Sequence, residues 1–255
     1  MILAIDVGNT NIVLGAIEDG EILNIVRVHT DTHATATEYA IRLRQLLDFY
    51  ALDPAGFAGA ILSSVVPPVT EAMTVAVKTI TGLDCMVVGP GMKTGMNVRI
   101  DDPGTLAGDI VVGSVAAMAY YGVPAIVLDM GTANTLVVID KDGAYRGGAI
   151  TPGVKLSYEA LASGTSLLPD ISIAAPRKVI GTNTVDAMRS GAVFSTAASI
   201  DGMIERMEAE LGYPCKVVAT GGLAQAIAPY CRREIVCDND LLLKGLWVLY
   251  QKNKK

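Results

Sequence analysis

Aromatic side chains make up only 5% of the 255 residues, and charged ones only 18%. Chains that stay disordered are rich in charge and poor in apolar residues. Here apolar residues reach 51%, so general disorder is excluded and there is material for large cores, enough for two domains of about 100–150 residues each. Positive charge is also short: 20 Lys and Arg against 26 Asp and Glu leave a formal net charge of −6. A duplex binder neutralises rows of phosphates with Lys and Arg, so no nucleic-acid partner is expected. An acidic protein still holds a nucleotide readily, because backbone N–H groups and a divalent cation manage the phosphates locally.

Cysteine is sparse and unpatterned. Cys85, Cys215, Cys231 and Cys237 form no CxxC pair, and His29 and His33 lie far from them in sequence. This spacing supports neither a zinc site nor a disulfide framework; reduced, buried thiols in a cytoplasmic protein are the plain reading. The opening MILAID has no basic n-region and carries an acid at position 6, so it does not read as a signal peptide. The longest uncharged stretch considered, Ile110 to Leu128, spans 19 residues, long enough to raise the question of a membrane span. Gly122-Val-Pro124 cuts it, and Gly113, Ser114 and the Tyr120–Tyr121 pair dilute it. It reads as a buried helix, a tight turn and a core strand, and no membrane partner is expected. Also missing are the Gx4GK[ST] loop, a GxGxxG after a strand, HExxH and the GxSxG elbow.

What is present is a repeat. At a constant offset of 123, residues 6–20 match 129–143 at Asp6/Asp129, Gly8/Gly131, Asn11/Asn134, Asp19/Asp142 and Gly20/Gly143. Five identities in fifteen exceed the roughly one that residue frequencies supply. The apolar lead-in repeats too, Leu3-Ala-Ile5 against Ile126-Val-Leu128. The period is too long for a solenoid and indicates a duplicated domain core. In the first copy, strands are expected over 2–6, 11–17 and 21–28, with an Asp-Gly hairpin turn at 19–20; in the second, over 125–129, 134–140 and 144–150. A helix over 38–50, a strand over 57–66 ending at Pro67-Pro68, and a helix over 69–80 follow the first copy. A helical pattern covers 105–120, a long one covers 183–211, and Val217–Ala219 reads as a further strand. The fold class is therefore α/β with mixed sheets, in two related halves that meet near Gly122.

Each Asp-x-Gly closes a strand and enters a turn of small polar residues, where glycine lets backbone approach an anion closely. The aspartates themselves repel phosphate and make sense as ligands of a cation, directly or through water. A structural Asx turn is the alternative for either copy alone. Thr220-Gly-Gly222, after the strand Val217–Ala219, is either a plain strand-to-helix turn or a place for backbone to lie against a flat base.

With Asp6-Val-Gly-Asn-Thr-Asn11, Asp129-Met-Gly-Thr-Ala-Asn-Thr135 and Thr220-Gly-Gly222, the chain resembles the superfamily of acetate and sugar kinases, heat-shock chaperones and actin. Over nearly its whole length it is similar to type III pantothenate kinases. Further stretches that carry this likeness are Ser63-Ser-Val-Val-Pro67, Asp102-Pro103, Gly147-Gly-Ala-Ile-Thr-Pro-Gly153, Leu168-Pro169, Gly181-Thr-Asn-Thr184 and Ser190-Gly191. The resemblance implies two duplicated ribonuclease-H-like (actin-like ATPase) domains, residues 1–121 and 122–255, with a cleft between them. It also implies ATP-dependent phosphorylation of pantothenate to 4'-phosphopantothenate, the first step of coenzyme A biosynthesis. The expected cofactors are Mg2+ and a monovalent cation, K+ or NH4+, and the expected assembly is a cytoplasmic homodimer. Part of the uncharged helix face at Val111, Val115, Met118 and Ala119 is expected to be left over for a partner.

Carried over position by position, Asp6, Val7, Gly8, Asn9, Thr10, Asn11, Ile12 and Val13 would form the first phosphate loop, and Thr132 would touch ATP. Asp129 would ligate the monovalent cation and Asp109 would be the base on the substrate hydroxyl. Ile100, Ala107, Gly108, Asp109, Ile110 and Thr184 would belong to the pantothenate site. Read without the family, Asp109 is an acid favoured by a helix N-terminus, and Thr184 is a helix cap. The sequence departs from the family pattern twice. Ala107-Gly-Asp-Ile110 stands where Gly-Ala-Asp-Arg is common, and Ile100 stands where a Tyr is common. Arg99, Arg177 and Lys178 are the candidates to replace the lost positive charge, against ordinary solvation of each. The alternatives are a same-fold kinase acting on another small hydroxy acid, and a catalytically weak ATP-binding regulatory protein.

Overall fold

The computed structural model describes residues 1–254. The chain forms two compact units, one of residues 1–95, 102–119 and 240–255, the other of residues 96–101 and 120–239. Contacts thus divide the chain in several places, whereas the halves 1–121 and 122–255 follow the repeat.

In the first unit, β1 (Ile2–Val7), β2 (Asn11–Glu18) and β3 (Glu21–His29) form an antiparallel meander, with β4 (Gly59–Ser64) and β5 (Cys85–Val87) added in parallel beside β1. The sheet order is β3-β2-β1-β4-β5. Every residue of β1 is buried, as a central strand covered on both faces requires. Leu3, Ile5 and Val7 face one apolar cluster, shared with Leu43 and Leu47 of α1 (Ala36–Phe49) and Met73 and Val77 of α2 (Pro67–Thr81). Ile2 and Ala4 face another, shared with Val112 and Val115 of α3 (Gly108–Tyr120) and Leu243, Leu246 and Leu249 of α8 (Leu241–Asn253). The alternation of a strand thus builds a three-layer unit.

Local signals explain the boundaries. Asp19 and Gly20 both take positive φ, the conformation a two-residue hairpin turn needs. Thr35 and Glu38 cap α1 reciprocally. The Pro67-Pro68 pair, expected only to end a strand, also opens α2, because proline costs nothing in the first helical turn.

In the second unit, β7 (Ala125–Met130), β8 (Ala133–Ile139) and β9 (Ala144–Pro152) repeat the meander. β10 (Lys216–Thr220) and β11 (Val236–Cys237) run parallel beside β7, and the short β6 (Asn97–Val98) adds to β9. The order β11-β10-β7-β8-β9-β6 contains the first unit's order in reverse listing, with the same strand directions. Its apolar cluster joins Ile126, Leu128 and Met130 to Val154 of α4 (Val154–Ser163), Ile200 and Ile204 of α6 (Thr196–Leu211) and Ile227 of α7 (Ala224–Ile227). α5 (Thr184–Ser190) runs into a wide helical turn at Gly191–Ser195 and on into α6, so the long helical region expected over 183–211 is present, with a π turn inside it.

The repeat holds in three dimensions, with one correction. β7 and β9 match β1 and β3 at offset 123, but β8 pairs one residue out of that step. Val7 lies opposite Ile12, while Met130 lies opposite Asn134. The first turn of the second copy is therefore one residue shorter, and the following hairpin is one residue longer. Both copies carry the same bulge, at Ala16/Ile17 and at Val138/Ile139. Asn134 consequently corresponds to Ile12, not to Asn11. The longer hairpin is filled by Asp140, whose carboxylate accepts from the N–H groups of Asp142 and Ala144 at 3.0 and 2.9 Å. Burial alone would raise its pKa, but these bonds and Arg146 hold it below the ordinary value.

The uncharged stretch folds as helix, turn and strand. Among the described residues no helix is long and apolar enough to cross a membrane. The face of α3 expected to be left over is partly used at home: Val115 is buried in the first unit's core and Val111 packs against it.

Candidate active site

Asp6 sits one residue before the end of β1, in register with Val13 of β2 and Ser63 of β4, and is 8% exposed. The turn after it closes through a bond from the Gly8 N–H to the Asn11 carbonyl, 3.0 Å. Asn9 and Thr10 are exposed, and Gly8, Asn11 and Val13 are half-buried. Val7 and Ile12 point into the core, so only their backbone is available to a ligand. Thr30, just past β3, fastens the turn twice: its N–H donates to the Thr10 carbonyl at 3.0 Å and its hydroxyl to the Gly8 carbonyl at 2.7 Å.

The second unit builds the same turn. Gly131 N–H donates to the Ala133 carbonyl, and Gly153 N–H to the Thr132 carbonyl, each at 3.0 Å. Gly153 stands where Thr30 stands, at offset 123. A Cβ there would lie 2.4 Å from the carbonyl oxygens of Gly131 and Thr132, so the close approach requires glycine. Thr132 is exposed on the turn, and Asp129 is half-buried beside it. Thr220 pairs in register with Asp129, which puts Gly221 (φ +94°) against the Asp129–Met130 backbone. A Cβ on Gly221 would come within 2.6 Å of Asp129 Oδ1, whereas one on Gly222 would meet nothing within 4 Å. The turn is thus clamped between Gly153 and Gly221. Neither Thr30 nor Gly153 was singled out from sequence as a loop-holding residue; only the matched offset could have found them.

Asp109 lies in the first turn of α3, where its Oδ1 accepts from the Ile110 N–H at 2.7 Å. Burial pushes its carboxyl up from the ordinary value, against backbone bonds that pull it down. Gly108 brings this turn against the end of β4: a Cβ there would be 3.4 Å from Ser63 Oγ. Ala107 and Gly108, both expected at the substrate site, border a cavity of about 560 Å³ with Ser64, Val65, Thr70 and Val87, which were not. Ile110 is half-buried on α3. Ile100 belongs to the second unit, near Gly147, and is not brought beside Ala107 within one unit.

Thr184 opens α5 and borders a second cavity of about 610 Å³. It is not the helix cap: Asn183 is, its side chain accepting from the Asp186 N–H at 2.9 Å. Of the cations considered as replacements for the missing Arg, Arg177 and Lys178 are exposed, and Arg99 helps lower the carboxyl of Asp140.

Each unit therefore presents one tight turn of small polar residues beside a single strand-end carboxylate. Among the described residues no three metal-ligating side chains cluster. This suits Mg2+, which binds through one or two carboxylates, substrate phosphates and water, better than a metal held in an all-protein cage. A profile of type III pantothenate kinase matches residues 2–206. A type III pantothenate kinase from Halalkalibacterium halodurans is 43% identical over 253 residues, covering 99% of this chain and 100% of its own.

The chain belongs to the type III pantothenate kinase family.

Solved structures agree on the fold. Component A of (R)-2-hydroxyglutaryl-CoA dehydratase from Acidaminococcus fermentans is similar with a TM-score of 0.58 at 17% identity, covering 98% of this chain and 96% of that one. The inorganic polyphosphate/ATP-glucomannokinase from Arthrobacter sp. strain KM is similar with a TM-score of 0.51 at 17% identity, covering 97% and 96%. At such identities the likeness shows the fold alone, the actin-like kinase fold expected from the duplicated turns.

Proposed function

We propose that the protein transfers the γ-phosphoryl group of ATP to the primary hydroxyl of pantothenate, giving 4'-phosphopantothenate for coenzyme A synthesis. The observation that carries the reading is the pair of matching turns, each of small polar residues beside one carboxylate, in a chain of this family. Phosphoryl transfer asks for alignment and charge placement more than for covalent help from the protein. The backbone of the two turns, beyond the committed N–H groups of Gly8 and Gly131, binds phosphate oxygens, with Thr132 adding its hydroxyl. Mg2+, when bound, neutralises charge on those oxygens, and Asp6 is the residue of this chain that would hold it. Asp109 takes the proton from the acceptor hydroxyl as the new P–O bond forms. Its burial suits a base that must hold the proton at least briefly.

The finer assignments belong to the same proposal. Asp129 holds K+ or NH4+. The open backbone at Gly222 lies against adenine. Ala107, Gly108 and Thr184 are assigned to pantothenate. The functional halves are residues 1–121 and 122–255, and the enzyme works as a cytoplasmic homodimer. A second reading, another small hydroxy acid as acceptor, is favoured specifically by Ile100 and Ile110. A coupled assay with ATP and a panel of hydroxy acids, in K+ and in Na+, tests both. Turnover of pantothenate far above the rest supports the first reading, and preference for another acid replaces it with the second.

A further inference from the structure

The cavity at Thr184 has a composition that selects a ligand. Its apolar wall comes from Leu161, Leu168 and Met188, and none of its lining residues carries a formal charge. Two of its polar groups are Asn183 and Tyr158. Asn183 is already committed, accepting from the Asp186 N–H and donating to Asp186 Oδ2 at 2.9 Å. Tyr158, on α4, lines the same cavity, and burial is the one cause that raises its pKa, so its phenol stays neutral and keeps its proton at physiological pH.

The position of that phenol is built. A Cβ on Gly191, where the π turn begins, would lie 2.4 Å from Tyr158 Oη. A Cβ on Gly181 would lie 2.3 Å from the Ala187 N. Two glycines therefore make room, one for the phenol and one for the lining segment packed on α5. A π turn inside a helix is frequently found at a functional site. Charged ends of a ligand find no partner in this lining, whereas a branched alkyl group flanked by hydroxyl or amide groups fits both its apolar and its polar parts.

We infer that Tyr158 is a specificity-determining residue, whose hydroxyl bonds an uncharged hydroxyl or amide group of the acceptor while the acceptor's branched alkyl part packs on Leu161, Leu168 and Met188. This rests on the reading of Thr184 as a substrate contact and extends it to a residue 26 positions earlier in the sequence. A site that hydrogen-bonds its substrate rejects analogues lacking the partner group, so the residue matters for selection as well as affinity.

Tyr158→Phe keeps the ring and removes the oxygen. The expected result is a rise of about 2–13-fold in the KM for pantothenate, the range for one neutral hydrogen bond, with kcat, the KM for ATP and Tm unchanged. Calorimetric titration of the folded variant with pantothenate alone should show the same loss. Thr184→Val is measured alongside. If Thr184→Val weakens pantothenate binding and Tyr158→Phe does not, the inference about Tyr158 is overturned and the parent reading stands. If neither variant weakens it, the parent reading falls. A lowered Tm with both KM values moved in Tyr158→Phe marks a structural role and also overturns the inference.

Discussion

Gly221 and Asp129 are in such close approach that no side chain larger than hydrogen fits between them: a Cβ on Gly221 would be 2.6 Å from Asp129 Oδ1. The parallel register of Thr220 with Asp129 sets this contact. It fixes the carboxylate at the mouth of the second turn. Gly221→Ala also meets a φ of +94°, so it should cost about 1–3 kcal/mol or more and weaken ATP binding. Gly222→Ala, in open space, should change stability by less than about 1 kcal/mol. Denaturant melts of the two variants check the contrast; equal losses would mean the contact does not position the turn.

Thr30→Val tests the fastening of the first turn. It removes the 2.7 Å bond to the Gly8 carbonyl but leaves the backbone bond to Thr10. The expected cost is about 1 kcal/mol, with the KM for ATP raised several-fold and little change in kcat. A KM for ATP that stays at the wild-type value would show that the turn holds its shape without the hydroxyl.

Much of the fold was legible in the sequence, because apolar lead-ins and Asp-Gly turns act over a few residues and repeat. The equivalence of Asn11 and Asn134 misled for a physical reason. A turn shorter by one residue is followed by a hairpin longer by one, so the offset of 123 returns and hides the slip. α8 was not expected from sequence, and Gly245 lies within it. In the structure that glycine is a close crossing, since its Cβ would lie 2.2 Å from the Val112 carbonyl of α3. The strand-end positions of Asp6 and Asp129 and the helix-start position of Asp109 were legible. Tyr158 was not, because cavities join residues that no short pattern connects.

The ion assigned to Asp129 has its own check. Turnover should fall when K+ and NH4+ are replaced by Na+ or Li+ at constant ionic strength. Asp129→Asn should abolish that difference while leaving the fold intact by circular dichroism. Equal rates in all four salts would return Asp129 to a Mg2+ or structural role.

The half-buried Asp109 carboxyl makes a signed prediction for pH. Its folded pKa is raised above the ordinary 3.8, so the fold binds this proton more tightly than the unfolded chain does. The stability it contributes is present below the unfolded value and is lost as pH rises through the folded one. At pH 7 the ionised group is a burden, and Asp109→Asn should have a Tm no lower than wild type. The acidic limb of kcat/KM should lie above the ordinary Asp range, since the base must be ionised to work. A limb at or below 3.8, or a marked fall in Tm for the variant, contradicts this.

The most direct test of the account is turnover by Asp109→Asn, set beside its ATP binding. The substitution keeps the size of the side chain and the bond to the Ile110 N–H, and removes only the capacity to take a proton. The account predicts a fall of about 10²–10⁴-fold in turnover with the affinity for ATP nearly unchanged. A stable variant that turns over pantothenate at the wild-type rate would contradict it.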